Sequence, residues 1–298
     1  LIVGCGYVGW ELVRRLLNPA TGDPQTIYVL TRSPERAEQL SRQGLQPLVG
    51  HWLNSATLPA APRVSRVLVS VPHRADPEAG ELETSDQCHV LGLQNLCEWL
   101  APTGWAKQPH RLIYLSTTGV FGSSESGQRV TEESPVSPTR QGPQIAVAAE
   151  DWLQRSREQL CSVVLRLAGI YGPGRVPLIQ ALKTGQPLAV PRHGLLNLIH
   201  VADAAQAIAW LLNAKSPQRL YLLSDGQPVP REYFYRYLAA CCGVAEPQFV
   251  DPEQNDSRSR RSTDKHVDSQ LFWRDSGLQP LFPDFRAGLK TALEEKQK

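Results

Sequence analysis

Short runs of valine, isoleucine and leucine alternate along this chain with longer stretches in which apolar residues recur every third or fourth position. The short runs fall at residues 1–3, 26–30, 45–49, 67–71, 111–116 and 162–167, with two later ones at 198–201 and 220–223. Their near-continuous apolar character predicts strands covered on both faces. Of the longer stretches, 7–17 places Val8, Leu12 and Leu16 on one helical stripe, and 86–100 does the same with Val90, Leu93, Leu96, Cys97 and Leu100. Ser33-Pro34-Glu35 has the make-up of a helix start: a hydroxyl to cap, a proline whose missing N–H costs nothing in the first turn, and an acid near the positive end of the dipole. Strand and helix in repeated alternation call for right-handed crossovers and parallel strands, so the predicted fold class is α/β with a doubly wound parallel sheet.

Beyond about residue 172 the texture changes to segments punctuated by proline and glycine, with shorter helices at 179–182, 204–212 and 231–242. This predicts a small, irregular C-terminal lobe. The expected division is one lobe of residues 1–171 with about 197–225, and a second of about 172–196 and 226–298. No internal repeat or low-complexity tract is visible.

Composition narrows the class of protein without choosing within it. At 298 residues, 41% hydrophobic and 20% charged, the chain can bury a full core unaided. The formal net charge of +2 is spread evenly, which gives no footprint for nucleic acid or a membrane surface, and Arg258, Arg260 and Arg261 read as a solvated loop. The six cysteines, Cys5, Cys88, Cys97, Cys161, Cys241 and Cys242, contain no C-x-x-C pair and the seven histidines are scattered, so neither a metal nor a disulfide framework is expected. A reducing cytoplasm fits this cysteine usage. The chain has no methionine and opens on the strand remnant Leu1-Ile2-Val3, from which the true N-terminus is expected to be missing.

Candidate chemistry begins at Gly4-Cys5-Gly6-Tyr7-Val8-Gly9, a G-x-G-x-x-G turn between an apolar strand and an amphipathic helix. Gly4 permits the tight turn, Gly6 lets a pyrophosphate approach the backbone, and Gly9 lets the helix pack close to the strand. Main-chain N–H groups, Tyr7 and Val8 included, then meet the phosphates at the positive end of the helix dipole. The predicted domain is therefore a dinucleotide-binding, Rossmann-type one. At the tip of the second strand, Leu30-Thr31-Arg32-Ser33 lacks the acid that bonds a ribose 2′-hydroxyl; Arg32 offers a charged fork and Thr31 and Ser33 hydroxyls, which predicts NADP(H) ahead of NAD(H). Val71, Pro72 and Ser116, near the ends of the fourth and fifth strands, complete the expected cofactor contacts. His51 follows the third strand and either stacks on adenine or faces solvent.

Several further segments resemble the extended short-chain dehydrogenase/reductase family, the NAD-dependent epimerase/dehydratase group, over nearly the whole chain. Leu115-Ser116-Thr117-Thr118-Gly119-Val120-Phe121-Gly122 is similar to the fifth-strand motif ending in V-Y-G, with Phe121 in place of tyrosine. Residues 165–175, LRLAGIYGPGR, are similar to the sixth-strand signature, and Asn197 to Ala205 to the I-H-V-x-D segment that returns the chain to the sheet. The tail from Gly277 to Leu289 resembles the end of an atypical, glycine-rich subgroup.

The resemblance implies a catalytic Ser/Thr, which Thr117 supplies, and a Tyr-x-x-x-Lys pair on the next helix. Counting forward from Pro138 or back from Glu150 puts Gly142 at the tyrosine position and Ala146 at the lysine position. Neither can move a proton, and a positioned acid/base is typically worth about 10²- to 10⁴-fold. Tyr171, Tyr114 and Arg140 are conceivable substitutes, although Tyr114 also reads as core packing, Tyr171 as loop structure and Arg140 as part of a turn. His200 reads as a buried histidine bonded to backbone, Asp203 as a helix cap, and Arg175, on a loop after a strand end, as the candidate grip for an anionic substrate. The implied function is a nicotinamide-dependent oxidoreductase or epimerase acting on a small polar, nucleotide-sugar- or carbohydrate-like molecule. The alternative is an inactive NADP(H)-binding sensor or partner protein. Helices flanking the fifth strand would pair subunits in relatives, so a homodimer is also implied.

Overall fold

The computed structural model describes residues 1–18, 25–73, 86–107, 110–122, 127–250 and 264–294. The basic cluster Arg258, Arg260 and Arg261 lies outside the described residues. Seven strands form one parallel sheet: β1 (Ile2–Val3), β2 (Tyr28–Thr31), β3 (Gln46–Val49), β4 (Arg66–Val69), β5 (Arg111–Thr117), β6 (Ser162–Leu167) and β7 (Leu220–Leu223), in the order β7-β6-β5-β4-β1-β2-β3. In β1, Ile2 pairs with Val29 on one side and with Leu68 on the other. The chain runs outward from β1 to β2 and β3, then crosses back to β4. The carboxyl end of β1 is thus a topological switch point, where an open crevice forms in sheets of this kind.

The helices follow from their apolar stripes. In α1 (Tyr7–Leu16), Val8, Leu12 and Val13 are buried, and α3 (Cys88–Leu100) buries His89, Leu93, Leu96 and Leu100. Ser33 is the N-cap of α2 (Pro34–Arg42), its Oγ accepting the Arg36 N–H at 3.1 Å. In α4 (Gln141–Arg155), Ile145, Ala146, Ala149 and Leu153 face inward. The last turn of α5 (Val201–Asn213) is tied to the sheet by two arginines: Arg111 donates to the Leu211 carbonyl at 2.9 Å, and Arg66 donates to that of Leu212. Both bonds satisfy carbonyls that a helix end leaves unpaired.

Two compact units emerge. The first comprises Leu1–Val120, Gln141–Arg166 and Ala204–Tyr221; the second comprises Phe121–Arg140, Leu167–Asp203 and Leu222–Lys298. The core of the first unit gathers Val3, Leu30, Val67, Val69, Leu93 and Ile145, among others, between sheet and helices. That of the second gathers Tyr171, Leu198, Phe234, Leu238, Phe285 and Leu289.

Two expectations need correction. The strand at 198–201 does not return to the main sheet: Leu198–His200 pairs in parallel with Gly169–Tyr171 in a separate two-stranded sheet, because the chain after β6 changes partner there, the Ala168 N–H donating to the Leu223 carbonyl and the Gly169 N–H to that of Asn197. The helix expected from 204 begins at Val201, so Asp203 sits within the first turn instead of capping it. Its carboxylate accepts the N–H groups of Leu281 and Phe282 at 2.6 and 3.1 Å, and so holds the C-terminal segment from 78 residues away.

Candidate functional site

The turn after β1 has the shape the glycine spacing calls for. Gly4 adopts φ +82°, and a Cβ there would lie 2.9 Å from the Ser70 carbonyl oxygen and 3.1 Å from the Val71 side chain, so only glycine fits. A Cβ on Gly6 would meet nothing within 4 Å, which leaves its outer side open. Gly6 is the N-cap of α1, and no side chain caps the helix. A helix start without a side-chain cap is the kind of site where an anion binds. Burial pushes the Cys5 thiol up to about 11 against the nearby Arg36 charge, so no thiolate opposes a phosphate here.

Beside this turn lies a cavity of about 230 Å³ lined by residues from five segments, among them Gly4, Thr31, Arg32, His51, Pro72 and His89. Val71 and Trp52 also contribute to its wall. The structure thus brings together Gly4, Thr31, Arg32, Val71 and Pro72 of the sequence-derived set, with Gly6, Tyr7, Val8 and Gly9 on the adjoining turn and helix start. Arg32 is exposed. His51 is half-buried in the wall, its ring held by a 3.3 Å bond in which Nδ1 accepts the Leu53 N–H. These residues fit a dinucleotide: a Gly4 that no side chain could replace, a Gly6 open on its outer side, a helix start with no side-chain cap, and a cation at the end of β2.

Other candidates stand apart from the cavity. Ser33 is committed to its helix, since its Oγ both caps α2 and donates to Glu35 Oε2 at 2.6 Å. Ser116 is buried and donates to Glu150, which also receives Arg166 in a buried two-point ion pair with N···O distances of 2.6 and 3.1 Å. Thr117 ends β5 half-buried and accepts the Gly119 N–H at 3.0 Å; its hydroxyl still has a proton to donate.

At Gly142 a Cβ would fall 2.3 Å from the His73 carbonyl oxygen, so the loop after β4 fills the space a side chain would need. Ala146 is fully buried. Tyr114 is fully buried too, and its phenol, raised well above 10 chiefly by burial, is bracketed by His73 Nε2 at 2.9 Å and His89 Nδ1 at 2.8 Å. Sequence reading missed both histidines and Trp52. Only the lone histidine on the buried stripe of α3 hinted at them.

In the second unit, Arg175 is exposed on a tight loop closed by reciprocal 3.0 Å bonds with Gly172. Tyr171 is buried and donates to the Asp284 carbonyl at 3.4 Å, with burial and nearby carboxylates raising its pKa. His200 is buried, accepts the Ala202 N–H at Nδ1 and packs against Phe282 at 3.8 Å between ring centres. Its Nε2 has no partner among the described residues, and burial lowers its pKa to about 4.

The sequence model of the NAD dependent epimerase/dehydratase family matches residues 1–223. Protein YeeZ of Escherichia coli K12 is 28% identical over 199 residues, 67% of each chain. A 4-hydroxy-2-methyl-3-oxo-4-farnesyl-3,4-dihydroquinoline-1-oxide ketoreductase of Stigmatella aurantiaca is 26% identical over 249 residues, 81% of this chain and 72% of that one. Among solved structures, a putative NAD-dependent epimerase/dehydratase from Methylobacillus flagellatus superposes with TM-score 0.73 at 27% identity, covering 100% of this chain and 98% of the other. MoeE5 in complex with UDP-glucose and NAD shares the fold, with TM-score 0.76 at 20% identity over 99% and 97% of the two chains.

Proposed function

This chain belongs to the NAD-dependent epimerase/dehydratase family, and from that premise we propose that it is an NADP(H)-dependent oxidoreductase or epimerase acting on a small polar, carbohydrate-like molecule. The observation that carries the cofactor half is the glycine turn opening onto a cavity that Arg32 borders and that has no acid at the tip of β2. The bound dinucleotide would supply hydride chemistry. This chain's own part is to hold the phosphates on the N–H groups after Gly4, place the adenosine half beside His51 and Trp52, and meet a 2′-phosphate with Arg32. Glu35, drawn to Ser33, leaves that phosphate to Arg32 and Thr31. Thr117, at the carboxyl end of β5, would donate its hydroxyl proton to a substrate oxygen. The substrate class draws support from relatives of this fold that carry a nucleotide sugar or reduce a ketone in their names.

Calorimetric titration tests the cofactor reading. NADP⁺ should bind tighter than NAD⁺, and Arg32→Ala should lose about tenfold to hundredfold for NADP⁺ alone, the range of a charge-assisted hydrogen bond. Equal affinities in the parent protein would refute the preference. A panel of sugars and ketones, followed through absorbance of the reduced nicotinamide, tests turnover. A second reading, a cofactor-occupied sensor without turnover, is favoured by the closure of position 142 against His73, and silence across the panel with tight cofactor binding would select it.

A further inference from the structure

His73, Tyr114 and His89 form a hydrogen-bonded chain inside the first unit. His89 Nε2 lies 3.4 Å from the Pro72 carbonyl, His89 Nδ1 2.8 Å from the Tyr114 hydroxyl, and that hydroxyl 2.9 Å from His73 Nε2. The two imidazoles are stacked at 4.7 Å, and Trp52 meets His89 edge-on at 4.9 Å. A carbonyl can only accept, which sets the direction throughout. His89 carries its hydrogen on Nε2 and accepts at Nδ1 from Tyr114; the Tyr114 oxygen in turn accepts from His73 Nε2. His73 Nδ1 is left as a bare lone pair, and no described residue engages it. Burial keeps both rings neutral, with His73 lowered to about 3 and His89 to about 4.

The fold says where His73 sits. Pro72 and His89 are part of the cavity wall, and His73 follows Pro72 in the chain. β4 and β5 are parallel neighbours with Val69 level with Tyr114, so the residues after β4 run beside Ser116 and Thr117 at the carboxyl edge of the sheet. A dinucleotide lying across the switch point puts its adenosine half toward β2 and β3, and its nicotinamide half toward β4 and β5. His73 is the next residue along that path, and its main chain presses on Gly142.

We propose that His73 is a cofactor-contacting residue whose Nδ1 accepts a hydrogen bond from a hydroxyl of the nicotinamide ribose, with Tyr114 and His89 as positioning residues that fix its tautomer. In this chain the main-chain carbonyl of His73 stands in the space where the family resemblance would put a tyrosine side chain. The inference rests on the cofactor reading above, and its test separates the two.

The test uses the full chain with ¹⁵N-labelled histidine rings, compared in the presence of NADP⁺ and of adenosine 2′,5′-bisphosphate, which has the adenosine half but no nicotinamide ribose. The expected result is a hydrogen on Nε2 of both histidines, a His73 Nδ1 resonance that moves with NADP⁺, and none with the bisphosphate. In calorimetry His73→Phe should weaken NADP⁺ about two- to tenfold, the worth of one neutral hydrogen bond, and leave the bisphosphate affinity as it was. Tyr114→Phe should release the tautomer of His73 in the spectrum and weaken NADP⁺ by less. The spectrum of the unsubstituted chain stands even if a variant fails to fold. A hydrogen found on His73 Nδ1, or a resonance unmoved by NADP⁺ that calorimetry shows to be bound, overturns the inference alone. No heat with any nicotinamide dinucleotide overturns the cofactor reading and the inference together.

Discussion

Single residues in this protein are legible when a local steric or electrostatic demand fixes them. Gly4 is one, since a positive φ and a carbonyl 2.9 Å from any Cβ leave no other choice. Asp225 is the opposite case, invisible in sequence. It is buried, Oδ1 accepts the Gln227 N–H at 2.9 Å, and Oδ2 has no partner among the described residues. Burial, and then the charges of Asp284 and Asp203, raise its pKa to about 7. A carboxyl raised in the folded state favours folding while it is protonated and loses that contribution as pH rises from about 4 to about 7. Asp225→Asn should therefore match the parent near pH 4 and exceed it at pH 8 by on the order of 1–3 kcal/mol, measured by urea denaturation at both values. No gain at pH 8 would mean that Oδ2 has found a partner.

Elements were the easiest scale to read. The apolar runs became strands and the stripes became helices within a few residues of the expected limits, because burial on one or both faces is written directly into the periodicity. What holds elements together was less visible. Glu150 on α4 and Arg166 on β6 are 16 residues apart and join in a buried ion pair that also takes in Ser116 of β5. Neither residue stands out in sequence, since each is an ordinary charge in an otherwise apolar segment. Removing one partner leaves the other charge buried and uncompensated, so Glu150→Gln should cost about 3–5 kcal/mol, read as a lower urea midpoint. Replacing both with apolar residues, as in Glu150→Leu with Arg166→Met, should recover most of that loss.

At the scale of the whole molecule the buried histidines set the response to acid. His73, His89 and His200 are all lowered by burial, to about 3, about 4 and about 4. Each therefore stabilises the folded state fully above its unfolded pKa of about 6.5, and that contribution is lost as pH falls toward the folded values. Asp225 works in the other direction over much of the same range. Among these four groups, three against one give a net uptake of about two protons on unfolding between pH 4 and 6.5, which lowers stability on acidification there. Asp225→Asn should raise that uptake to about three, seen as a steeper dependence of the urea midpoint on pH.

The sequence by itself determined the layered α/β architecture, the glycine turn and the tip of β2, because each depends on residues that are neighbours in the chain or repeat with a fixed period. The family resemblance likewise rode on short contiguous motifs. Only the tertiary structure decided that Asp203 grips Leu281 and Phe282, that the strand at Leu198 pairs with Gly169–Tyr171, and that His73, Tyr114 and His89 share one chain of hydrogen bonds beside Gly142. Those contacts join residues 25 to 79 positions apart, and no local propensity or spacing records which buried polar group will meet which.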